Sequence, residues 1–322
     1  MGSDVPSFPG ALIDLGGHKI HLNCYGAGSP TVVIETGFQE FSVDWSLVQP
    51  PVSQFTRVCT YDRAGYAWSD PGPLPRSNAQ VNLELHDALL KAGERAPFVL
   101  VGHSYGGPVV RTYAAVYPSE VAGMVLAEAT HEDDRYSYGG RSYFIRSGAT
   151  GKNVPEPHET MLPSDLAYYA TASPAPTVRA VKVDPPFDRL SPTDQIAHAW
   201  AASLGKLSKT EDSERTWSPE AMQHLHETNQ TNVLHGIPLV VLSRAVAGFG
   251  STDIAADKLD ADWRDNQNKL AALSTDSIHR WVRSGHEIEV EDPSDVVDAI
   301  HAVVLAVRTG RKVAQLCGVN CP

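Results

Sequence analysis

The sequence lacks the features that would bind a membrane or a nucleic acid. No apolar run in its 322 residues approaches the roughly 20 residues of a membrane-spanning helix. The N-terminus, Met1-Gly-Ser-Asp-Val-Pro-Ser7, has neither the basic nor the apolar part of a signal peptide. Lys and Arg number 26 against 38 Asp and Glu, and the formal net charge of −12 disfavours nucleic acids and anionic membranes. We therefore expect a soluble protein, either cytoplasmic or an exported mature form with its leader removed, and a small-molecule substrate.

Cysteine is scarce, and the four cysteines do not make a disulfide scaffold in a chain of this length. Cys317 and Cys321 stand at the extreme C-terminus and could close a small loop in an oxidising compartment. A zinc site there would need two more ligands, and no Cys/His cluster nearby supplies them. Cys24 and Cys59 lie on predicted strands. The redox state of all four stays open, and we predict neither a metal nor a cofactor.

Short apolar strands alternate with helices in two parts of the chain. After a hairpin at residues 11–23, strands are predicted at 31–35, 57–62, 98–101, 123–127, 238–242 and 278–282. Helices are predicted at 77–93, 109–117, 261–273 and 292–309, with caps such as Asp292 before Pro293. Continuously apolar strands that alternate with helices indicate a mostly parallel sheet covered on both faces. The fold class is therefore α/β.

The alternation stops between residues 131 and 236, where charge, proline and tyrosine are frequent and no buried strand is evident. Helical segments are expected near 166–171, 195–207 and 219–229. We predict a core domain formed by residues 1–130 and 237–322, with residues 131–236 inserted as a mainly helical cap, or lid.

One motif carries the chemistry. Four apolar residues, 98–101, lead directly into Gly102-His-Ser-Tyr-Gly106, and a helical pattern follows at once. A strand, Gly-x-Ser-x-Gly and a helix in this order form a nucleophile elbow. The glycines are needed because the turn is too sharp for side chains on either flank of the serine. The motif predicts that Ser104 is a covalent nucleophile.

A serine hydroxyl needs a base within hydrogen-bond reach and a third group that orients the base. In elbow-type sheets the chain order is serine, acid, histidine, and the histidine lies in a loop after the last strand. Of the 13 histidines, His286 has that placement, in Arg283-Ser-Gly-His286. We predict that His286 is the base.

The acid has two candidates. Glu128 stands at the end of the strand that follows the elbow helix, where its carboxylate could reach the histidine. The more usual position follows the strand at 238–242, but Asp253 comes only eleven residues past Leu242. Asp257 and Asp260 are typical of helix-cap charges. Glu128 is the predicted acid, and Asp253 is the alternative.

An oxyanion hole requires backbone N–H groups that point at the developing negative charge. One predicted donor is the N–H of Tyr105, directly after the nucleophile. The second is expected from the loop after the strand at 31–35, where Phe38 follows Gly37.

The chain resembles the α/β-hydrolase superfamily with a helical cap over about residues 10–130 and 237–310. The matching motifs are Ile34-Glu-Thr-Gly-Phe38, Tyr61-Asp-Arg-Ala-Gly-Tyr-Ala-Trp-Ser69, Gly102-His-Ser-Tyr-Gly106 and Ser284-Gly-His286. The resemblance implies an eight-stranded sheet whose second strand is antiparallel, and neighbouring strands that would permit a contact or a disulfide between Cys24 and Cys59. The frequent His-Gly of the superfamily is Thr36-Gly37 here, and the acid after the seventh strand is missing at its usual spacing. Some branches place the acid after the sixth strand, which matches Glu128.

These residues predict a cofactor-free serine esterase, a hydrolase that cleaves carboxylic esters of small molecules through an acyl-enzyme. The resemblance associates an aspartate at the elbow with dehalogenases and epoxide hydrolases, so the serine argues against both. Amide, thioester or lactone cleavage would use the same triad, and a lyase or a ligand receptor could reuse the pocket. The cap aromatics Tyr168, Tyr169, Trp200 and Trp217 could line an acyl pocket or form the core of the cap itself. The natural substrate and the oligomeric state are not predicted.

Overall fold

The computed structural model describes residues 5–7, 9–138, 141–173, 183–228, 233–246 and 256–316. Asp253, Cys317 and Cys321 lie outside the described residues. The strands are β1 (Ala11–Asp14), β2 (Lys19–Tyr25), β3 (Thr31–Glu35), β4 (Val58–Tyr61), β5 (Phe98–His103), β6 (Val121–Ala127), β7 (Arg135–Tyr138), β8 (Arg141–Phe144), β9 (Leu239–Arg244) and β10 (Ser277–Val282). The α-helices are α1 (Gln49–Val52), α2 (Asn78–Lys91), α3 (Gly106–Val116), α4 (Pro163–Ala170), α5 (Pro192–Ala202), α6 (Gly205–Thr228), α7 (Ala256–Ala271), α8 (Ile288–Glu291) and α9 (Pro293–Thr309).

Eight strands form one sheet in the order β1-β2-β4-β3-β5-β6-β9-β10. Strand β2 is antiparallel to both of its neighbours. The other six strands of this sheet, β4, β3, β5, β6, β9 and β10 in spatial order, pair in parallel. The predicted sheet, including its antiparallel second strand, is confirmed. Because parallel strands end at the same edge, the loops that follow β3, β5, β6, β9 and β10 meet there.

The sheet is covered on both faces, because neighbouring residues of a strand point to opposite sides. On β5, Leu100 belongs to one buried apolar cluster, whereas Val99 and Val101 belong to another. The first cluster includes residues of α2, α3 and α7, and the second includes residues of α1, α8 and α9. This two-sided burial explains why the strands are apolar at successive positions rather than at alternate ones.

A disulfide joins Cys24 to Cys59. The two residues are directly opposite each other on the antiparallel strands β2 and β4. The contact that the family resemblance permits is therefore a covalent bond. Within the described ranges, no helix is both long and apolar enough to cross a membrane.

The segment between β6 and β9, called the insert below, contains the β7–β8 hairpin and helices α4, α5 and α6. Helix α6 begins at Gly205, fourteen residues before the predicted start at Pro219, which lies inside it. Proline removes one helical hydrogen bond. Helix α6 tolerates that loss because Leu207, Met222 and Leu225 are buried in apolar clusters with core residues.

Candidate active site

Ser104 lies between the end of β5 and the start of α3, in the left-handed backbone region with a φ of 50°. The flanking glycines are required by close packing. A Cβ at Gly102 would lie 2.7 Å from the carbonyl oxygen of Gly106, and a Cβ at Gly106 would lie 2.4 Å from that of Glu35. The sequence therefore folds into the sharp turn that the motif predicts, with a strained serine at its apex.

The side chain of His286 reaches Ser104 from the loop after β10. Its Nε2 lies 3.0 Å from Ser104 Oγ, which is hydrogen-bonding distance. The side chain is 46% exposed, so this face of the site is open to solvent. The loop is held by the N–H of Gly285, which donates to Glu291 Oε2 at 2.9 Å.

Glu128 lies behind the same histidine. Its Oε1 is 3.6 Å from His286 Nδ1, and the carboxylate is fully buried. The backbone N–H of Arg244 donates to Glu128 Oε2 at 2.9 Å, and the Arg244 guanidinium donates to Oε1. Like Ser104, Glu128 has a positive φ, of 47°. The structure thus brings the three predicted residues together, with His286 between Ser104 and Glu128.

The segment after β9, where the alternative acid was expected, contacts the site through helix α7. Asp253 lies outside the described residues. Asp260, on α7, has its Oδ1 3.7 Å from Arg244 Nη2, and the same guanidinium packs 4.0 Å over the ring of Trp263. Helix α7 therefore supports the arginine that binds Glu128.

The loop after β3 is held by Arg63, which is fully buried. Its guanidinium donates to the carbonyl oxygens of Thr36 and Gly37, both at 2.7 Å, and to Glu214 of the insert at 3.0 Å. A trans peptide directs its C=O and N–H to opposite sides. By binding the Gly37 carbonyl, Arg63 therefore turns the N–H of Phe38 away from itself.

The predicted oxyanion donors are neighbours. The rings of Phe38 and Tyr105 stack at a centroid distance of 3.9 Å and an interplanar angle of 11°. A Cβ at Gly37 would lie 2.9 Å from Ser104 Cβ, so this loop passes directly beside the nucleophile. These contacts bring the loop and the first turn of α3 together.

His103, the residue before the nucleophile, links three segments of the site. Its Nδ1 contacts the Glu40 carboxylate at 2.8 Å, and its Nε2 lies 2.8 Å from the carbonyl oxygen of His286. Both ring nitrogens therefore face acceptors, which requires an imidazolium. Burial by itself lowers the pKa of His103, but the carboxylates of Glu289 and Glu40 raise it well above its usual value. Glu40 in turn accepts the N–H of Gly37 at 2.8 Å.

The sequence leaves open whether the four cap aromatics line an acyl pocket or form the core of the cap. Trp217 lies on α6 and is partly buried. Tyr168 and Tyr169 pack edge to face against each other, and Tyr168 donates to the Lys209 carbonyl. Trp200 packs against Trp68. These contacts are structural ones within the insert and between the insert and the core.

Comparison with known proteins finds one family model that matches part of the chain. The family model described as "alpha/beta hydrolase fold" matches residues 30–158. "Probable transporter efuK" of Hormonema carpetanum is 26% identical over 332 aligned residues, which cover 95% of this chain and 44% of that protein. "AB hydrolase superfamily protein" of Gibberella zeae is 24% identical and is covered over 87% of each chain. The chain thus spans less than half the length of the first of these relatives.

Solved structures share the fold. The epoxide hydrolase CorEH superposes with a TM-score of 0.61 at 16% identity, over 92% of this chain and 98% of that one. A thermophilic esterase from Thermogutta terrifontis superposes with a TM-score of 0.60 at 16% identity, over 91% and 95%. At this identity, the likeness shows the fold alone.

Proposed function

We propose that this chain, which belongs to the α/β-hydrolase superfamily, is a serine esterase that cleaves carboxylic esters of small molecules. The observation that carries the proposal is the 3.0 Å contact between His286 Nε2 and Ser104 Oγ, with the Glu128 carboxylate behind Nδ1. A nucleophile, its base and an orienting acid are the groups that acyl transfer needs.

In the acylation step, Ser104 Oγ attacks the carbonyl carbon of the ester while His286 Nε2 takes the hydroxyl proton. The carbonyl electron pair moves to oxygen, and the N–H groups of Phe38 and Tyr105 are the proposed donors to that oxyanion. When the carbonyl re-forms, the bond to the alcohol oxygen breaks and His286 returns the proton to it. The products are an alcohol and an acyl-Ser104.

In the deacylation step, water replaces the alcohol. His286 takes a proton from the water as its oxygen attacks the acyl carbon, and the collapse returns that proton to Ser104 Oγ. Glu128 is proposed to stabilise the imidazolium in both steps. Its 3.6 Å separation from Nδ1 is longer than a hydrogen bond, and such contacts often tighten once substrate is bound.

The insert is proposed to act as a cap over this site. Met222 and Leu225 of α6 share a buried cluster with Tyr105 and Val109. Glu214, on the same helix, binds Arg63 and accepts the hydroxyl of Tyr66 at 2.6 Å. Helix α6 therefore contacts both the elbow helix and the residue that holds the oxyanion loop, which supports placing the predicted cap, residues 131–236, beside the acyl group.

Turnover of p-nitrophenyl acetate and butyrate tests the proposal, together with labelling by a fluorophosphonate. The wild-type chain is expected to hydrolyse at least one ester and to be labelled on Ser104. Ser104→Ala should lose about 10⁴-fold or more in kcat and should not be labelled. Ser208→Ala, on the exposed surface of α6, is the matched control and should behave like the wild type.

Full turnover by Ser104→Ala would overturn the assignment. A wild-type chain that is not labelled and is inactive on both esters would favour a binding protein or a lyase built on the same fold. A series of acyl chain lengths then gives the substrate preference.

A further inference from the structure

A cluster of ionisable side chains lies behind the candidate triad. It consists of Glu40, His103, Glu287 and Glu289, and one ligand atom from each lies within 4.8 Å of all the others. These residues come from three loops at the sheet edge. Glu40 follows β3, His103 ends β5, and the other two follow His286. We call this group the Glu40 cluster.

The charges of the Glu40 cluster do not balance. Three carboxylates and one imidazolium carry a net charge of −2 when all are ionised. The side chains of Glu289 and His103 are fully buried, and that of Glu40 is 5% exposed. Buried charges are costly unless they are paired. The cluster must therefore take up either protons or a cation.

Glu289 is the residue that points to a cation. Among the described residues, neither of its carboxylate oxygens accepts a hydrogen bond from another residue, although both are buried. Its Oε2 lies 3.6 Å from His103 Nε2, the ring nitrogen that does not face Glu40. Glu287 Oε2 is also buried without a hydrogen-bond partner. Two glutamates of the cluster thus carry buried carboxylate oxygens that no other described residue binds through a hydrogen bond.

We propose that the Glu40 cluster binds one divalent first-row transition-metal cation, such as Zn²⁺ or Mn²⁺. When a dication replaces one proton of the cluster, the net charge changes from −2 to −1, and carboxylate oxygen with imidazole nitrogen is a donor set that these ions accept. Ca²⁺ prefers six to eight oxygen ligands, and Mg²⁺ prefers to keep several waters, so both fit a compact mixed site poorly. A metal at this place would depart from the expectation, drawn from the sequence, that the chain binds none.

The ion is placed between Glu40 and His103 Nδ1, where it replaces the proton that these two groups share. The His103 Nε2–H can then keep its hydrogen bond to the His286 carbonyl, so the link to the base loop survives. Ligand atoms around a tetrahedral zinc lie about 3.4 Å apart for bonds of about 2.1 Å. Small rotations of the glutamate side chains would bring the cluster from 4.8 Å to that spacing.

Such an ion would stabilise three loops at once, those that carry the oxyanion donor Phe38, the nucleophile Ser104 and the base His286. Its expected role is structural, because none of its ligands contacts Ser104 Oγ. The direct readout is therefore binding and stability, and the proposal does not depend on which substrate the site cleaves.

The test uses the untagged chain of 322 residues, stripped with a chelator and dialysed. Thermal unfolding and titration calorimetry are followed with ZnCl₂, MnCl₂ and CaCl₂. The expected result is about one Zn²⁺ or Mn²⁺ bound per chain, with a midpoint of unfolding that rises with ion concentration, and little response to Ca²⁺. Metal analysis of the chain before stripping gives an independent measure.

Glu289→Gln and Glu287→Gln locate the ion. Each keeps the side-chain shape but removes a ligand charge, and each is expected to weaken binding by about 10-fold or more. Glu287 is partly exposed, so its variant should fold even if the buried one does not. Asp298→Asn, on the exposed face of α9, removes one charge elsewhere and should keep the wild-type response.

Three results would contradict the proposal. If neither transition metal raises the midpoint of the wild-type chain, the cluster holds protons alone. If both glutamine variants respond as the wild type does, the ion binds at another place. An equal response to Ca²⁺ would contradict the assigned class of ion.

Discussion

Arg244 binds the carboxylate of Glu128 from two directions, with its backbone N–H at 2.9 Å and with its guanidinium. The arginine stands at the end of β9, one strand away from the glutamate, which follows β6. The two donors hold the Glu128 carboxylate in place behind His286, so that strand β9 fixes the orientation of a side chain that follows β6.

The first prediction concerns the identity of the acid. Glu128→Gln should lower kcat on p-nitrophenyl butyrate by about 10²–10⁴-fold with a smaller change in KM, because it removes the charge that stabilises the imidazolium. Asp253→Asn is the matched control and should stay within a factor of about two of the wild type. The measurement is steady-state kinetics of the two variants side by side. The reverse order of losses would move the assignment to Asp253.

Local sequence signals predicted most of the fold. Helix α9 runs from Pro293 to Thr309 between its predicted caps, and Gly310 ends it with a φ of 67°. Caps, apolar strands and the elbow are encoded within a few neighbouring residues, so they can be recognised without a structure. The first part of helix α6, residues 205–218, was not recognised as continuous with the predicted segment at 219–229, because its polar surface has no clear apolar period and its position depends on packing against the core.

Only part of the candidate site could be predicted, because some of its contacts join residues that are far apart in the sequence. Ser104, His286 and Glu128 follow strands, and strand order predicts that they meet. Arg63 and His103 were not recognised as functional residues. Arg63 binds Gly37 and Glu214, which are 26 and 151 residues away, and His103 binds the carbonyl of a residue 183 positions away. No spacing in the sequence indicates such contacts. The only signals were the places of the two residues inside matching motifs, residues 61–69 for Arg63 and the elbow for His103.

The second prediction concerns Arg63 as a positioning residue for the oxyanion loop. Arg63→Lys keeps the charge but cannot reproduce the fork that binds the carbonyls of Thr36 and Gly37. The orientation of the Phe38 N–H should be lost, so kcat is expected to fall by about 10²-fold while KM changes little. Esterase kinetics with p-nitrophenyl butyrate provide the measurement.

Glu214→Gln is the matched control for that experiment. This variant removes the negative charge that the insert places beside Arg63. It leaves the contacts of Arg63 with the carbonyls of Thr36 and Gly37 in place. Its loss in kcat should be clearly smaller than that of Arg63→Lys. If the two variants lose kcat equally, Arg63 acts through the insert and does not orient the oxyanion loop.

The third prediction concerns stability and pH. Burial raises the pKa of Asp134 from 3.8 to about 7, against the opposing effect of hydrogen bonds from Asn266 and the His131 N–H. The unfolded chain releases this proton near pH 3.8, whereas the folded chain keeps it until about pH 7. Between these values the folded state binds more protons. The stabilisation is therefore complete below pH 3.8 and is lost as the pH rises through 7.

Asp134→Asn isolates this contribution, because the amide cannot ionise. The free energy of unfolding of the wild type, minus that of the variant, should fall between about pH 4 and pH 8, by at most roughly 4 kcal/mol. Denaturant unfolding across this range measures it. For the exposed Asp298→Asn, the same difference should vary little with pH. A constant difference for Asp134→Asn would show that the carboxyl is ionised throughout.

The fourth prediction concerns the disulfide between Cys24 and Cys59, which are 35 residues apart in the sequence. A cross-link of this length restricts the unfolded chain and stabilises the fold by roughly 4 kcal/mol at 25 °C in the loop-entropy model. The double variant Cys24→Ala and Cys59→Ala should lose most of that free energy of unfolding. Because β2 and β4 carry none of the proposed triad, the kcat of the folded variant should equal that of the wild type.

Unfolding in guanidinium with and without dithiothreitol checks this prediction and separates this disulfide from any other cysteine chemistry. The free energy of unfolding that the wild type loses on reduction should equal the free energy that the double substitution removes, because both changes break the same cross-link. The double variant still carries Cys317 and Cys321, so its own response to reductant measures what those two residues contribute. If the reductant lowers the stability of the variant as much as that of the wild type, the stabilising bond lies at the C-terminus and not between β2 and β4.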